Sequence, residues 1–163
     1  MIDNFCQGVF YDIIKLLIFN PNFMPKSVFI IEDDANIAKG LQANLNTMGF
    51  EAEINPGGEE EIEDLIMEIR KVDADIVILD LILPKLDGFE IIKAIRADSE
   101  INNLYVFVFT DVSDEDSRAR GLSIGANQYF LKNDFSVAEF AEKVKKIMEN
   151  REAMEEANNT YQI

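Results

Sequence analysis

Histidine is absent from the 163 residues, and cysteine occurs once, at Cys6. The first absence removes Ser-His and Cys-His catalytic pairs, His-ligated metals and any phospho-His carried by this chain. The second leaves no intrachain disulfide and no Cys-based zinc site. Basic residues are scarce as well: 15 Lys and Arg stand against 31 Asp and Glu, a net charge of −16. A phosphate backbone is gripped by clustered Lys and Arg, so neither nucleic acid nor an anionic membrane surface is an expected partner. Whatever chemistry the chain performs must use carboxylates, Lys, Thr, Ser or Tyr.

No internal repeat and no low-complexity linker interrupts the sequence. With 48% hydrophobic and 28% charged residues, the chain fits one compact domain with short appendages. The segment 1–23 holds an apolar run, 13–19, broken by Lys15. It starts acidic at Asp3 and lacks a basic leading region and a small-residue cleavage site, which speaks against a signal peptide or a membrane span. A cytoplasmic location is expected. Two readings of 1–23 remain, a short amphipathic helix that docks on the domain or a partner, and a leader upstream of a truer start at Met24. The opening "MPKSVFII" favours the leader.

From Ser27 onward strand and helix patterns alternate. "SVFII" is a wholly apolar first strand. Ile37, Leu41, Leu45 and Met48 then recur at helical spacing up to Gly49, a cap. "EAEI" is a weak second strand stopped by "NPGG". Acids at 59–61 suit a first helical turn, and Ile62, Leu65, Ile66, Ile69 and Val72 form the stripe of that helix. The third strand, within "ADIVILDLILPKLDG", runs four branched aliphatics straight into Asp80. Phe89, Ile92 and Ile95 mark a third helix, with Asp87-Gly88 as the turn that starts it. "LYVFVFT" is strand four, a polar helix covers 114–123, and "NQYFL" is strand five. Val137, Phe140, Val144 and Ile147 close with an amphipathic helix. The polar tail 150–163 reads as an extension of it that frays. This alternation predicts an α/β fold, a doubly wound five-stranded parallel sheet with helices on both faces. In the flavodoxin-like order 2-1-3-4-5, ligands bind beyond the C-terminal strand ends, where strands one and three part.

Those ends carry the chemistry. Strand one finishes in Glu32-Asp33, strand three in Asp80, strand four in Thr110, and Lys132 follows strand five. Packed carboxylates repel, so some take up a proton or a cation joins them. Oxygen ligands without His or Cys suit a hard cation such as Mg²⁺. Lys132 is a point charge suited to a phosphoryl oxygen, and Thr110 offers a hydroxyl. A carboxylate at the centre of such a set can act as a nucleophile toward phosphorus.

These residues resemble the response-regulator receiver domain of two-component signalling. The likeness covers 24–149 and rests on "VFIIEDD", "VILDLILPKLDG", "VFVFT" and "GANQYFLKN", in order and properly separated. It implies that Asp80 is the phosphoacceptor, with a phospho-His on a histidine kinase or a His-containing phosphotransfer protein as donor. Asp33 would hold Mg²⁺ directly, Glu32 through water, and the Ile82 backbone carbonyl would be a further ligand. Thr110 resembles the switch hydroxyl, Tyr129 the aromatic that swings inward with it, and Lys132 the pocket lysine. Such a chain is no enzyme in the usual sense. It catalyses its own phosphorylation and a slow dephosphorylation, since Ile82 and Val112 flank the site without a water-positioning group. Output is expected through protein contact at the face formed by helix four, strand five and helix five.

Two positions depart from the family pattern. Asp111 stands where a small residue usually follows the switch hydroxyl, and Asn133 stands where Pro usually follows the lysine. A non-proline cis bond costs roughly 2.5–4 kcal/mol, so a trans Lys132–Asn133 peptide is expected. The rival reading is a phosphorylation-silent interaction module of receiver-like fold. A haloacid-dehalogenase-type phosphotransferase would need an acid where Ile82 stands. A nucleotide site is opposed by "EDDA" after strand one, which repels phosphate, and "NPGGEEE" lacks the GxxxxGK pattern.

Overall fold

The computed structural model describes residues 26–57 and 61–160; the segment 1–23 and its two readings lie outside the described residues. Three strands, β1 (Ser27–Ile31), β3 (Ile76–Leu79) and β4 (Tyr105–Thr110), are buried almost throughout. That follows from their unbroken Val, Ile, Leu and Phe, which alternation would have spared on one face. The flanking strands β2 (Glu51–Asn55) and β5 (Gln128–Leu131) are partly exposed, as edges should be. All pairings are parallel and the order is β2-β1-β3-β4-β5, as the sequence predicts.

Among the described residues, five α-helices cover the sheet: α1 (Ala35–Thr47), α2 (Ile62–Val72), α3 (Gly88–Ala97), α4 (Glu115–Ser123) and α5 (Val137–Thr160). Successive strand residues point to opposite faces, and the core splits accordingly. Phe29, Ile31, Val77, Leu79, Val106 and Val108 pack beneath α2 and α3, against Leu65, Ile69, Ile91 and Ile95. Val28, Ile30, Ile76, Ile78, Phe107 and Phe109 meet α1 and α5 through Leu41, Leu45, Phe140 and Val144. Phe109 stacks on Phe140 with ring centroids 4.0 Å apart.

Helix starts follow the capping residues. Asp34 accepts from the amides of Asn36 and Ile37, Asp87 from Phe89 and Asp114 from Ser117. Such caps satisfy amides that have no partner inside the helix. Of the acids expected in the first turn of α2, residues 59 and 60 lie outside the described residues; Glu61 is the N-cap, without a side-chain bond, and the first-turn acids are Glu63 and Asp64. At the other end of the chain, α5 continues through the polar residues after Asn150 to Thr160. Lys26 Nζ meets Glu152 Oε1 at 2.8 Å and the Arg151 guanidinium lies over the Tyr105 ring, which holds this stretch at the base of the sheet. Among the described residues, no helix is long and apolar enough to cross a membrane.

Candidate functional site

Strand register brings the site together. Ile31 of β1 pairs with Leu79 of β3, so Glu32 and Asp80 leave the sheet side by side. β3 pairs with β4, and β4 with β5, carrying Thr110 and the segment after Leu131 to the same end. Because Asp34 alone caps α1, Glu32 and Asp33 are left for other work. A short 3₁₀ turn, Lys132–Asp134, directs the lysine inward.

Lys132 Nζ lies 2.6 Å from Asp80 Oδ2 and 2.8 Å from Glu32 Oε2. Both acids are almost wholly buried, Glu32 with 2% and Asp80 with 5% of its surface exposed. The other Asp80 oxygen, Oδ1, accepts from the Ile82 amide at 3.1 Å, and Glu32 Oε1 accepts from Asp34 at 3.2 Å. Asp33 is exposed at the rim. One carboxylate oxygen each of Glu32, Asp33 and Asp80 lies within 4.8 Å of the others. Three acids against a single ammonium leave an excess of negative charge, and all the donors are hard oxygens. The set fits Mg²⁺ and no soft metal.

Electrostatics reflect this crowding. Burial pushes the Glu32 carboxyl above its ordinary value; the Lys132 hydrogen bond and charge pull the other way, and Asp80 repulsion adds to the rise. For Lys132, burial works to discharge the ammonium, but the bonds and charges of Asp80 and Glu32 outweigh it and its pKa is raised. The lysine is therefore firmly charged.

Thr110 is fully buried, and its Oγ1 accepts from the Val112 amide at 3.4 Å. Tyr129 is turned inward with 3% exposure, its hydroxyl donating to the Val112 carbonyl at 2.8 Å. Burial, then the nearby Asp114, raises its phenol pKa. Asp111 and Asn133, the two departures, are both exposed, and the described peptides are all trans. The Ile82 side chain is 59% exposed beside the pocket.

The end of β2 contributes support that sequence reasoning passed over. Asn55 is 3% exposed. Its carbonyl accepts from the Glu32 amide at 3.2 Å, and its side chain accepts from Gly57 and donates to Glu68. The signal was an amide residue at a strand end before Pro-Gly.

Known proteins place this architecture. Residues 28–145 match the family model described as the response regulator receiver domain. The transcriptional regulatory protein QseB of Haemophilus influenzae is 33% identical over 124 residues, covering 76% of this chain and 53% of that one. A probable transcriptional regulator, ycf27 of Guillardia theta, is 32% identical over 123 residues, covering 76% and 45%. The chain thus spans about half the length of these curated relatives. Among solved structures, the signal receiver domain of a DNA binding response regulator from Colwellia psychrerythraea superposes with a TM-score of 0.65 at 26% identity, covering 76% of this chain and 98% of that one. The BeF3-activated DrrB receiver domain does so at 0.64 and 26%, covering 77% and 99%. With the family model spanning most of the sequence and the five-stranded fold in agreement, this chain belongs to the response regulator receiver domain family.

Proposed function

We propose that the chain takes a phosphoryl group on Asp80 from a phospho-His of a histidine kinase or a His-containing phosphotransfer protein. An Asp80 carboxylate oxygen forms the O–P bond as the P–N bond to the donor imidazole breaks, and the departing imidazole takes up a proton. Lys132, already held by Asp80, is within reach of a phosphoryl oxygen and offsets its charge. Glu32, Asp33, Asp80 and the Ile82 backbone carbonyl would hold Mg²⁺, which supplies further neutralisation of the equatorial oxygens. Thr110 and Tyr129 pass the change to the face of α4, β5 and α5, where a downstream protein docks. A cytoplasmic setting is part of this reading.

The observation that carries it is the 2.6 Å contact of Lys132 Nζ with Asp80 inside the acid triad. The deciding experiment incubates the chain with acetyl phosphate, with and without Mg²⁺, and follows intact mass. Wild type gains a phosphoryl group only with Mg²⁺, and Asp80→Asn gains none. An unmodified wild type would favour the phosphorylation-silent module.

A further inference from the structure

Gly88, the first residue of α3, was read in the sequence as part of a turn, yet its surroundings tie it to Asp80. A methyl group at this position would lie 2.6 Å from Leu81 Cα and 3.0 Å from the Asp80 backbone oxygen. Backbone atoms at such a range cannot swing aside as a side chain does, so the strand end itself would have to move. Two further contacts hold the same approach: the Gly88 amide donates to the Leu81 carbonyl at 3.3 Å, and Ile82 pairs with Asp87 in an antiparallel bridge. The start of α3 is therefore folded flat against the residues that carry the carboxylate.

The far side of this loop is fixed as well. Leu83 packs on the core beneath α2 and α3, and its methyl carbons lie 2.9 and 3.1 Å from where a Gly57 Cβ would stand. Gly57 has φ +63, which favours glycine, and its amide is held by Asn55 Oδ1 at 2.6 Å. Between Gly88 and Leu83 sits the Ile82 amide, whose bond to Oδ1 sets the rotation of the Asp80 carboxylate.

We infer that Gly88 and Leu83 are positioning residues that clamp the loop after β3 and aim the Asp80 carboxylate and the Ile82 backbone toward the cation. The inference rests on the phosphoacceptor reading of this site. Side chains that orient metal ligands from behind matter because small misalignments weaken every ligand bond at once.

Mg²⁺ affinity of the full chain, measured by calorimetry beside the thermal midpoint, tests it. Gly88→Ala should weaken Mg²⁺ binding by on the order of tenfold, and Leu83→Ala should weaken it in the same direction. Gly125→Ala is the control: it strains a glycine at φ +119 beside Arg96, at the opposite end of the sheet, so it lowers the midpoint and leaves affinity unchanged. Wild-type affinity in both Gly88→Ala and Leu83→Ala overturns the inference. If Gly88→Ala does not fold, Leu83→Ala decides alone. A wild type that binds Mg²⁺ but takes no phosphoryl group from acetyl phosphate overturns the phosphoacceptor reading only, and the affinities still judge the clamp. A wild type that binds no Mg²⁺ overturns both.

Discussion

Lys132 and Glu32 are 100 residues apart in the chain and 2.8 Å apart in the folded protein. The ammonium is the cation that lies against two buried carboxylates, so removing it leaves charge without compensation. Breaking a buried pair from one side costs about 3–5 kcal/mol when no solvent reaches it. This pocket opens at Asp33, which lessens the penalty. Lys132→Met should lose roughly 2 kcal/mol in Mg²⁺-free urea unfolding at pH 7. The loss should shrink at pH 5, where Glu32 can take up a proton instead. An equal loss at both pH values would show that Lys132 is not what holds Glu32 charged.

Glu32 itself gives wild type a distinctive pH profile. Its carboxyl, raised by burial, binds a proton more tightly folded than unfolded. Its stabilising contribution is therefore complete below the unfolded value near 4.5 and is lost as pH rises through the folded value. Without Mg²⁺, the stability of wild type relative to Glu32→Gln should fall as pH rises from about 4.5 toward neutrality. Saturating Mg²⁺, which favours the ionised form, should flatten that difference. A stability gap independent of pH would contradict the assigned shift.

The strands and most helices were legible because each is written locally: aliphatic runs for a doubly covered sheet, Ile and Leu at helical spacing, and an Asp before α1, α3 and α4. Parallel order then brought Glu32, Asp80, Thr110 and Lys132 to one end without any contact being read. What stayed hidden depends on geometry across the sheet. That Glu32 bonds Lys132 directly follows from the register of β1 against β3 to β5, which no local pattern encodes. The support from Asn55 is non-local, reaching Glu32, Gly57 and Glu68 from a strand end that the sequence marks only by an amide before Pro-Gly, and the tight approach at Gly88 is one of backbone atoms. The polar extension of α5 past Asn150 was legible, and the described helix runs to Thr160; what holds it, Lys26 and Tyr105, is remote in sequence and was not.

Tyr129 is tied to the loop that follows Thr110 by one hydrogen bond, from its hydroxyl to the Val112 carbonyl. Tyr129→Phe should cost about 1 kcal/mol in unfolding free energy. The phosphorylation rate of Asp80 should stay close to wild type, because the phenol does not touch the carboxylate or Lys132. A large fall in acetyl phosphate labelling by this variant would mean that Tyr129 acts on the acceptor itself.

Asp73 ends α2 in the left-handed region, at φ 52. A side chain there clashes with the following carbonyl, and an acid at a helix C-terminus meets the negative end of the dipole. Asp73→Gly removes both penalties at an exposed position, against a smaller loss of unfolded-state restriction. A gain of about 0.5–1 kcal/mol is expected, with Mg²⁺ binding and labelling unchanged. A destabilised variant would show that local bonding by the Asp73 carboxylate outweighs its strain.

On the proposed reading, loss of the phosphoryl group requires a water aligned behind phosphorus, and Ile82 and Val112, two residues beyond Asp80 and Thr110, offer it no polar side chain. Ile82 is 59% exposed at the mouth of the pocket and Val112 is half-buried beside Thr110. Neither carries a donor or acceptor beyond the backbone. The phosphorylated chain, freed of donor and kept in Mg²⁺, should therefore decay over minutes or longer, followed by intact mass. Ile82→Asn places an amide in this position without disturbing the core, since the native side chain lies in solvent. It should shorten the lifetime by on the order of tenfold. A wild-type lifetime of seconds, or an Ile82→Asn lifetime equal to wild type, would mean that water is ordered by other groups.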